Sequence, residues 1–368
     1  MNKKLGLVLT GGGARGAYQA GVLSAVAEIA HEEGMKFPFP IITGMSAGAI
    51  NAACLASSIE EDYRKSFASL ENLWATIHCE NIYKTDAPSI FKNMFKWLFV
   101  LTTGGIDNQG VNLALFNTRP LRKFLKRNAD FKKIQQRIQE EYFLGMGITA
   151  LSYETGHSTT FFQGCKQFMP WDRHQRIGVR SKLGISHVMA SSAIPLLFPS
   201  EGLNKQFYGD GSLRNLSPLS PAIHLGAEKL FVIGVTNKNS ARPSKTLPTL
   251  GKIMSVLMDS IFLDSIDYDL ERLERVNQLV GSTEESFKKI EAFVINPSEN
   301  IGQIAKEEEK HLKKFIKFLV NRLGSNEEVS DLVSYILFEP SFTQRLIELG
   351  KKDARNQKEE IKKFIMDG

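Results

Sequence analysis

The chain opens with two short apolar runs, each followed by a glycine-rich turn and then by a helical pattern. Residues 5–10 read Leu-Gly-Leu-Val-Leu-Thr, which is typical of a strand buried on both faces. Apolar positions then recur at helical spacing over residues 18–29, and Gly34 marks the end of that helix. A second apolar run at residues 41–43 leads through a second turn into a small-residue helix over residues 47–57. We expect the two strands to be adjacent and parallel, so that both turns meet at one edge of a sheet.

The remainder of the chain continues the mixture of strands and helices. A hairpin is predicted over residues 143–162, with a turn at its centre. Further buried strands are predicted at residues 230–235 and 293–295. The predicted helices of this remainder cover residues 62–78, 184–193, 247–280 and 304–365, the second of them stopped by Pro195.

Residues 90–101 form the most apolar segment of the chain. Lys92 and Lys96 are four residues apart and share one helical face, and Gly104 and Gly105 are predicted to end the helix. Such a helix is either part of a buried core or a lid that dips into a lipid surface. We therefore mark residues 85–130 as a candidate lid or interfacial insertion.

A basic stretch follows the apolar segment. Residues 118–137 contain one acid, Asp130, and eight basic residues, which are Arg119, Arg122, Lys123, Lys126, Arg127, Lys132, Lys133 and Arg137. One interpretation is a solvated helix face. The other is attraction to anionic headgroups beside the apolar segment, which would give the protein a transient, anionic membrane surface as a partner.

The second turn has the pattern of a nucleophile elbow. Residues 44–48 read Gly-Met-Ser-Ala-Gly and join the apolar run to the small-residue helix. In such an elbow a serine, here Ser46, sits at the apex of a strained turn, and Gly44 and Gly48 leave room for the strand and helix to approach. The helix N-terminus directs free N–H groups, beginning with Ala47, at an anion formed there. An ordinary glycine-rich turn is the alternative at this stage.

The first turn admits two interpretations. Gly11, Gly13 and Gly16 spell the G-x-G-x-x-G of a dinucleotide-binding loop, but that motif expects an acid at the end of the next strand, where this chain has the serine turn. The other interpretation is an oxyanion loop, in which the N–H groups of Gly12 and Gly13 face a ligand and Arg15 adds a positive charge.

A third short motif lies far along the chain. Asp210 stands between Gly209 and Gly211, and Ser212 follows Gly211. Asp-Gly is also the standard pair of a type I′ hairpin turn, so a purely structural role is the alternative.

Composition and charge limit the class of protein and the cellular compartment that fit this sequence. The 368 residues have a formal net charge of +6, too small a value to argue for nucleic acid, and we expect no nucleic-acid partner. Three scattered cysteines, Cys54, Cys79 and Cys165, give neither a disulfide framework nor a zinc pattern and favour a reducing compartment. The N-terminus lacks the pattern of a signal peptide, and no apolar stretch reaches transmembrane length. We expect a cytoplasmic, peripherally membrane-associated protein.

Taken together, the three motifs resemble the patatin-like phospholipase family. The stretch from Ala190 through Pro195 to Pro199, ahead of the aspartate, also looks like that family's pattern, and residues 346–354 are similar to the end of many bacterial members. The resemblance implies a three-layer α/β/α fold with a mostly parallel central sheet. It divides the chain into a catalytic core (5–224), a segment that completes the sheet (225–300) and a C-terminal helical extension (301–368).

The resemblance also implies the chemistry. Ser46 is the expected nucleophile and Asp210 its base, in a serine–aspartate dyad that hydrolyses acyl esters of phospholipids or lysophospholipids without a metal or an organic cofactor. The expected oxyanion hole comprises Gly11, Gly12, Gly13, Arg15, Gly16 and Ala47. Ser212 departs from the family, which usually has Gly or Ala after Asp-Gly.

Three rival functions remain at this stage. A Ser-His-Asp esterase or thioesterase would use Ser46 and Asp210 with His224 or His311, although the elbow follows only the second strand, too early for that fold. A lipid acyltransferase would use the same serine with a different acceptor. The third rival function is that of a non-catalytic lipid-binding protein, which would give Ser46 and Asp210 no chemical role.

Overall fold

The structure is a computed structural model that describes residues 3–103, 114–237, 247, 249–262, 264–280 and 288–366. Gly104 and Gly105, the predicted end of the apolar helix, lie outside the described residues, as does the rest of 104–113.

The described strands form one mixed sheet. Its order is β10-β9-β1-β2-β3-β4-β6-β5, and β8 pairs with β3 and carries β7. The pairs from β10 through β3 are all parallel, whereas β8 and β4 both run antiparallel to β3. The strands are β1 (Leu5–Leu9), β2 (Ile41–Met45), β3 (Gly145–Ser152), β4 (Ser158–Gly164), β5 (Trp171–Arg173), β6 (Arg176–Arg180), β7 (Glu201–Leu203), β8 (Gln206–Asp210), β9 (Lys229–Ile233) and β10 (Glu291–Ile295).

Helices account for most of the remaining described residues. They are α1 (Gly16–Glu32), α2 (Ala47–Ser58), α3 (Tyr63–Ala75), α4 (Cys79–Ile82), α5 (Ala87–Thr103), α6 (Arg119–Asn128), α7 (Phe131–Gln139), α8 (Ile185–Ser191), α9 (Ser220–His224), α10 (Leu250–Phe262), α11 (Asp264–Val280), α12 (Ile301–Glu308), α13 (Lys314–Asn321), α14 (Asn326–Ile336), α15 (Pro340–Asn356) and α16 (Lys358–Met366). Single 3-10 turns lie at Gly13–Arg15 and Glu309–His311.

The side chains of β1 show that the sheet is covered on both faces. Leu7 and Leu9 point into a large core shared with α1, α2 and α15, whereas Val8 points into a second core with α9 and α11. Successive residues of a strand face opposite sides, so an uninterrupted apolar strand needs a partner on each side. The layers are therefore helix, sheet and helix, which confirms the expected three-layer fold.

The structure refines several predicted elements. The hairpin is confirmed as β3 and β4, with Leu151 opposite Ser158 near the turn. The basic stretch forms two helices, α6 and α7, because Asp130 caps the second one by accepting a hydrogen bond from the N–H of Lys132. Asp210 is not in a hairpin turn: it ends β8, and the chain continues through a turn to α9.

The C-terminal helices pack tightly against the first helix of the chain. A Cβ atom at Gly21 of α1 would lie 2.1 Å from the carbonyl oxygen of Ile347. A Cβ at Gly350 of α15 would lie 2.4 Å from the carbonyl oxygen of Tyr18. The two helices approach this closely only because both positions lack a side chain. Among the described helices, none has both the length and the apolar character needed to cross a bilayer.

Candidate active site

Ser46 lies at the sharp turn between β2 and α2. Its backbone has φ 52° and ψ −124°, a left-handed conformation that is strained for a residue with a side chain. This turn conformation places the side chain at the carboxyl edge of the parallel strands, where α2 begins. Ala47 and Gly48 open that helix, and the first N–H groups of a helix have no acceptor within it.

The two glycines of the elbow are required by close backbone contacts. A Cβ at Gly48 would lie 2.2 Å from the carbonyl oxygen of Leu9, the last residue of β1. A Cβ at Gly44 would lie 2.3 Å from the carbonyl oxygen of Gly48. Both distances are far below contact distance, so any larger residue would push α2 away from the strands and move Ser46.

The structure brings Ser46 and Asp210 into direct contact. The Ser46 hydroxyl donates a hydrogen bond of 2.6 Å to Oδ2 of Asp210, across 164 positions of sequence. The exposed fractions of the two residues are 2% and 0%, so this pair is closed off from solvent. A buried serine and carboxylate at hydrogen-bond distance have the arrangement of a nucleophile and its base.

The second oxygen of Asp210 is held by the backbone. The N–H of Ser212 donates to Oδ1 at 2.9 Å, which leaves Oδ2 for the Ser46 hydroxyl. The N–H of Asp210 itself donates to the carbonyl of Ala193 at 3.0 Å. Gly211 is needed beside it, because a Cβ there would lie 2.0 Å from the carbonyl oxygen of Thr149. The carboxylate thus has a single orientation.

Burial changes the acidity of the aspartate. Loss of hydration raises the pKa of Asp210 from 3.8 to about 6, and the hydrogen bonds from Ser46 and Ser212 limit the rise because they stabilise the ionised form. A carboxylate with this pKa is a stronger base than an exposed aspartate and is still ionised at neutral pH.

Two serines that the sequence interpretation left without a role hold the elbow in place. The N–H of Ser46 donates to the hydroxyl of Ser191 at 2.9 Å, and that hydroxyl donates to the carbonyl of Thr149 at 2.6 Å. The hydroxyl of Ser192 donates to the carbonyl of Ser46 at 3.2 Å. The only sequence signal for them is their position in the motif that precedes Asp210.

The glycine loop lies between β1 and α1 and meets α14. Gly13 has φ 57°, and a Cβ there would lie 2.1 Å from the carbonyl oxygen of Tyr335. Within the described parts of the chain, the N–H groups of Gly12 and Gly13 are not taken up by hydrogen bonds. A Cβ at Gly16 would lie 2.9 Å from the Cβ of Ala47, which ties this loop to the elbow.

Arg15 is buried with its charge directed at the C-terminal helices. Its Nε donates to the hydroxyl of Ser334 at 2.7 Å, and its guanidinium lies 4.1 Å from the centre of the Tyr335 ring. Its Nη2 lies 3.5 Å from Oδ1 of Asp331 and 3.9 Å from Oδ1 of Asp259. The sequence interpretation gave this charge to the oxyanion, whereas its contacts in the structure are with α10 and α14.

A buried polar network supports the base of the loop. The side chain of Gln19 donates to the carbonyl of Thr10 at 3.0 Å, and that of Asn51 donates to the carbonyl of Gly16 at 3.1 Å and to Gln19 at 2.9 Å. The indole of Trp74 donates to Asn51 at 2.6 Å. These bonds fix the carbonyls at both ends of the glycine loop.

Both histidines of the rival triad make their described contacts elsewhere. His224 stacks on Trp171 with ring centres 4.7 Å apart, and burial, together with Arg173 and Arg176, lowers its pKa to about 4. His311 lies 3.4 Å from Glu308. In the described portion of the chain, no histidine forms a hydrogen bond with Ser46 or Asp210.

One group of described side chains has metal-binding character, and it is separate from this pair. His78, Glu80 and Glu339 place ligand atoms within 4.8 Å of one another. Lys313 already forms an ion pair of 2.7 Å with Glu80, and His78 contacts Glu339 at 3.0 Å. The ligand atoms of this group are therefore already in contact with one another or with a neighbouring lysine.

Helix α5, the predicted lid, is an exposed apolar helix. Phe95 and Leu98 have exposed fractions of 69% and 57%. Trp97 is only half-buried, and its indole Nε1 is buried without a hydrogen-bond partner among the described residues. Phe91 packs on Phe315 of α13 with ring centres 4.9 Å apart. The helix is thus anchored by one face and leaves a large apolar surface in solvent.

Comparison with known proteins gives one family and distant likenesses to solved structures. The family model described as patatin-like phospholipase matches residues 7–223, more than half of the chain. No curated protein matches significantly. The crystal structure of VipD from Legionella pneumophila is similar at 13% identity and a TM-score of 0.35, over 94% of this chain and 67% of that one. A chain of the complex between full-length SpcU and full-length ExoU, from the type III secretion system of Pseudomonas aeruginosa, is similar at 15% identity and a TM-score of 0.29. That match covers 88% of this chain and 53% of the other, so this chain spans about half of its length.

Proposed function

The chain belongs to the patatin-like phospholipase family, and from this premise we propose that it is a serine acyl hydrolase that cleaves fatty-acyl esters of phospholipids or lysophospholipids. Membership supports lipid-ester hydrolysis. The observation that carries the finer assignment is the buried hydrogen bond of 2.6 Å between Ser46 and Asp210, with no histidine beside it in the described residues.

In the first step Ser46 attacks the acyl carbonyl carbon while its proton passes to Oδ2 of Asp210. The proton has a defined path because the hydroxyl already points at that oxygen and Ser212 holds the other one. The raised pKa of Asp210, about 6, makes the transfer less costly than it would be to an exposed carboxylate. The new bond leaves a tetrahedral oxyanion on the former carbonyl oxygen.

Three backbone N–H groups are proposed to bind that oxyanion. Those of Gly12 and Gly13 are unused within the described residues, and that of Ala47 opens α2. The N–H of Ser46 is not assigned to this role, since Ser191 already accepts it. Loss of one such donor typically costs about 3–4 kcal/mol of transition-state stabilisation. In this proposal Gly11, Gly16 and Arg15 hold the loop in position.

Collapse of the oxyanion expels the alcohol of the ester, which takes the proton from Asp210, and leaves the acyl group on Ser46. Water then attacks the acyl-enzyme with Asp210 again acting as the base. Free fatty acid leaves, and the hydroxyl of Ser46 is restored. No step in this sequence uses a metal or an organic cofactor.

The membrane surface belongs to the same proposal. An exposed apolar helix with lysines on it is suited to lie in a lipid interface, and α5 has this character at Phe95, Leu98, Lys92 and Lys96. The exposed basic side chains of α6 and α7 favour an anionic surface.

The direct test measures fatty acid and lysophospholipid released from defined phospholipid vesicles, by mass spectrometry, for wild type and Ser46→Ala. We expect release by wild type only. Release at equal rates by both proteins would refute the assignment of Ser46. Transfer of the acyl chain to an added alcohol, in place of water, would identify an acyltransferase.

A further inference from the structure

Helix α10 has two chemically different faces. Its outer face is apolar and exposed along its length, and it consists of Leu250, Ile253, Val256 and Leu257. Its inner face places Ser255 and Met258 in the interior and presents Asp259 to the C-terminal helices. A stripe of four exposed aliphatic side chains on one helix costs solubility and is retained where the surface binds something apolar. This helix lies outside the residues that the family model matches.

The inner face of α10 contacts the glycine loop through two side chains. Oδ1 of Asp259 accepts a hydrogen bond of 2.8 Å from the hydroxyl of Tyr335 and lies 3.9 Å from Nη2 of Arg15. Arg15 is the last residue of the 3-10 turn that begins at Gly13. The carbonyl of Tyr335 closes over Gly13 itself. A displacement of α10 would therefore act on the loop that holds the proposed oxyanion donors.

Charge identifies the chemistry of the surface that α10 and α5 would meet. Residues 87–103 of α5 contain lysines and no acid. The only acid of α10 is Asp259, which faces Arg15, while Lys252 is the one basic residue of the helix. The open side of α5 thus carries lysines and no acid, and the apolar stripe of α10 contains no acid, which matches a bilayer with anionic headgroups.

Helix α13 joins the two apolar helices into one region. Phe315 of α13 packs on Phe91 of α5, and the carbonyl of Leu323, just beyond α13, accepts a hydrogen bond of 2.7 Å from the N–H of Gly251 in α10. Phe318, between these two contacts, is exposed, and the guanidinium of Arg322 lies 5.1 Å from the centre of its ring. The candidate surface therefore extends from α5 through α13 to α10.

We propose that the outer face of α10 binds an anionic lipid surface together with α5, and that α10 couples this binding to the glycine loop through Asp259 and Arg15. The inference rests on the proposed function, since it concerns access to Ser46. Ser46 and Asp210 are both buried, with exposed fractions of 2% and 0%. If lipid binds more tightly when α10 lies further outward, lipid binding shifts the conformational equilibrium towards that outward position. The size of the shift is set by the difference in lipid affinity between the two positions. Asp259 is then a positioning residue that ties the loop to the position of the helix.

The experiment follows covalent labelling of Ser46 by a soluble fluorophosphonate, with and without vesicles. The vesicles contain either phosphatidylcholine alone or equal amounts of phosphatidylcholine and phosphatidylglycerol. We expect the mixed vesicles to bind wild type and to accelerate labelling by about tenfold, equivalent to a barrier change of about 1.4 kcal/mol. Phosphatidylcholine alone should produce a much smaller effect.

The double variant Ile253→Ser/Leu257→Ser should lose most of the vesicle binding and of the acceleration. Val276→Ser, an exposed aliphatic residue of α11, is the matched control and should keep both. Asp259→Asn should still sediment with the mixed vesicles but should label at nearly the same rate with and without them, and Asp259→Glu should restore the difference. A purely structural role for Asp259 would lower the melting temperature without removing that difference.

The outcomes separate this inference from the proposed function. A wild type that is never labelled at Ser46 contradicts the proposed function. If wild type is labelled at Ser46 but vesicles accelerate its labelling no more than that of the double variant, the proposed role of α10 is overturned. A wild-type dimer that the double variant converts to monomers would identify the surface as an interface between copies of the chain, which also overturns it.

Discussion

At the scale of the residue, the account depends on how one carboxylate is held. Asp210 is fully buried, one of its oxygens accepts the N–H of Ser212 and the other accepts the hydroxyl of Ser46. A histidine would bring a base with a pKa near neutrality, whereas here burial moves an aspartate in that direction. The same burial that excludes solvent thus raises the pKa of the proposed base.

The raised pKa of Asp210 predicts the pH dependence of activity. The base must be ionised, so kcat/KM should rise with pH through about 6 and reach a plateau above it. The measurement is the pH profile of hydrolysis of a short monomeric ester, over a range in which the protein stays folded. A profile that is flat from about pH 4 to about pH 8, roughly two pH units either side of the expected pKa, would contradict Asp210 as the base.

The raised pKa of Asp210 also predicts how the stability of the protein depends on pH. Its folded pKa, about 6, lies above the reference value of 3.8, so its contribution to stability is fully present below 3.8 and is lost as pH rises through 6. Asp210→Asn removes that loss and should raise the free energy of unfolding at pH 8 by on the order of 3 kcal/mol. The gain should shrink as pH falls towards 4, which denaturant titrations at several pH values would show. A gain that is independent of pH would mean that ionised Asp210 carries no such cost.

At the scale of the element, α5 is expected to act at the lipid interface. Phe95→Asp and Leu98→Asp should weaken vesicle binding, since each buried apolar side chain contributes about 2 kcal/mol, or roughly thirtyfold in the binding constant. Both side chains are exposed, so the melting temperature and the turnover of a short monomeric ester should be retained. Met169→Asp, at an exposed methionine outside α5, is the control. Parallel loss on both substrates, with a lower melting temperature, would show that α5 is core.

Trp97 requires a different interpretation from Phe95. Both aromatic residues stand in the most apolar segment of the chain, residues 90–101. The structure exposes Phe95 and half-buries Trp97, so Trp97→Asp would disturb packing as well as the interface. Periodicity predicts that a helix is amphipathic, but which aromatic side chain faces solvent depends on what the helix packs against. On the side of Trp97, Asn93 donates a hydrogen bond of 2.9 Å to the carbonyl of Leu115.

The first elements and the position of Ser46 were predictable because their signals are local, whereas the partnership with Asp210, 164 positions away, followed only from the family resemblance. Strand, glycine turn and helix follow one another directly at residues 5–29 and 41–58, and Ser46 stands at the apex of the second turn. The direction of Arg15 was not predictable. Its partners Ser334, Asp331 and Asp259 lie more than two hundred positions away, and no local pattern records a contact at that separation. The roles of Ser191 and Ser192 were missed for the same reason.

At the scale of the whole molecule, the C-terminal helices are part of the folded core. The α1–α15 contact at Gly21 and Gly350 and the burial of Arg15 against α14 join the chain's two ends. All three tryptophans lie within the first 171 residues. We therefore predict that unfolding followed by tryptophan fluorescence coincides with unfolding followed by far-ultraviolet circular dichroism, which reports all helices. Two separated transitions would contradict a shared core.

A variant at Gly350 provides a second test of the shared core. In Gly350→Ala the new methyl group would meet the carbonyl oxygen of Tyr18, so both transitions should move together, with a loss of about 1–3 kcal/mol in the free energy of unfolding. Gly184→Ala is the matched control, because a Cβ there meets nothing within 4 Å. A shift confined to the circular dichroism signal would mean that α15 unfolds separately from the rest.

The most direct test of the central claim, a serine–aspartate pair that works without histidine, is the rate of fluorophosphonate labelling with the labelled residue identified by mass spectrometry. Wild type, His224→Ala and His311→Ala should all be labelled at Ser46 at similar rates. Asp210→Asn should be labelled at least a hundredfold more slowly, within the range expected for loss of a general base. Slow labelling in either histidine variant with the fold intact, or labelling of a residue other than Ser46, would contradict the account.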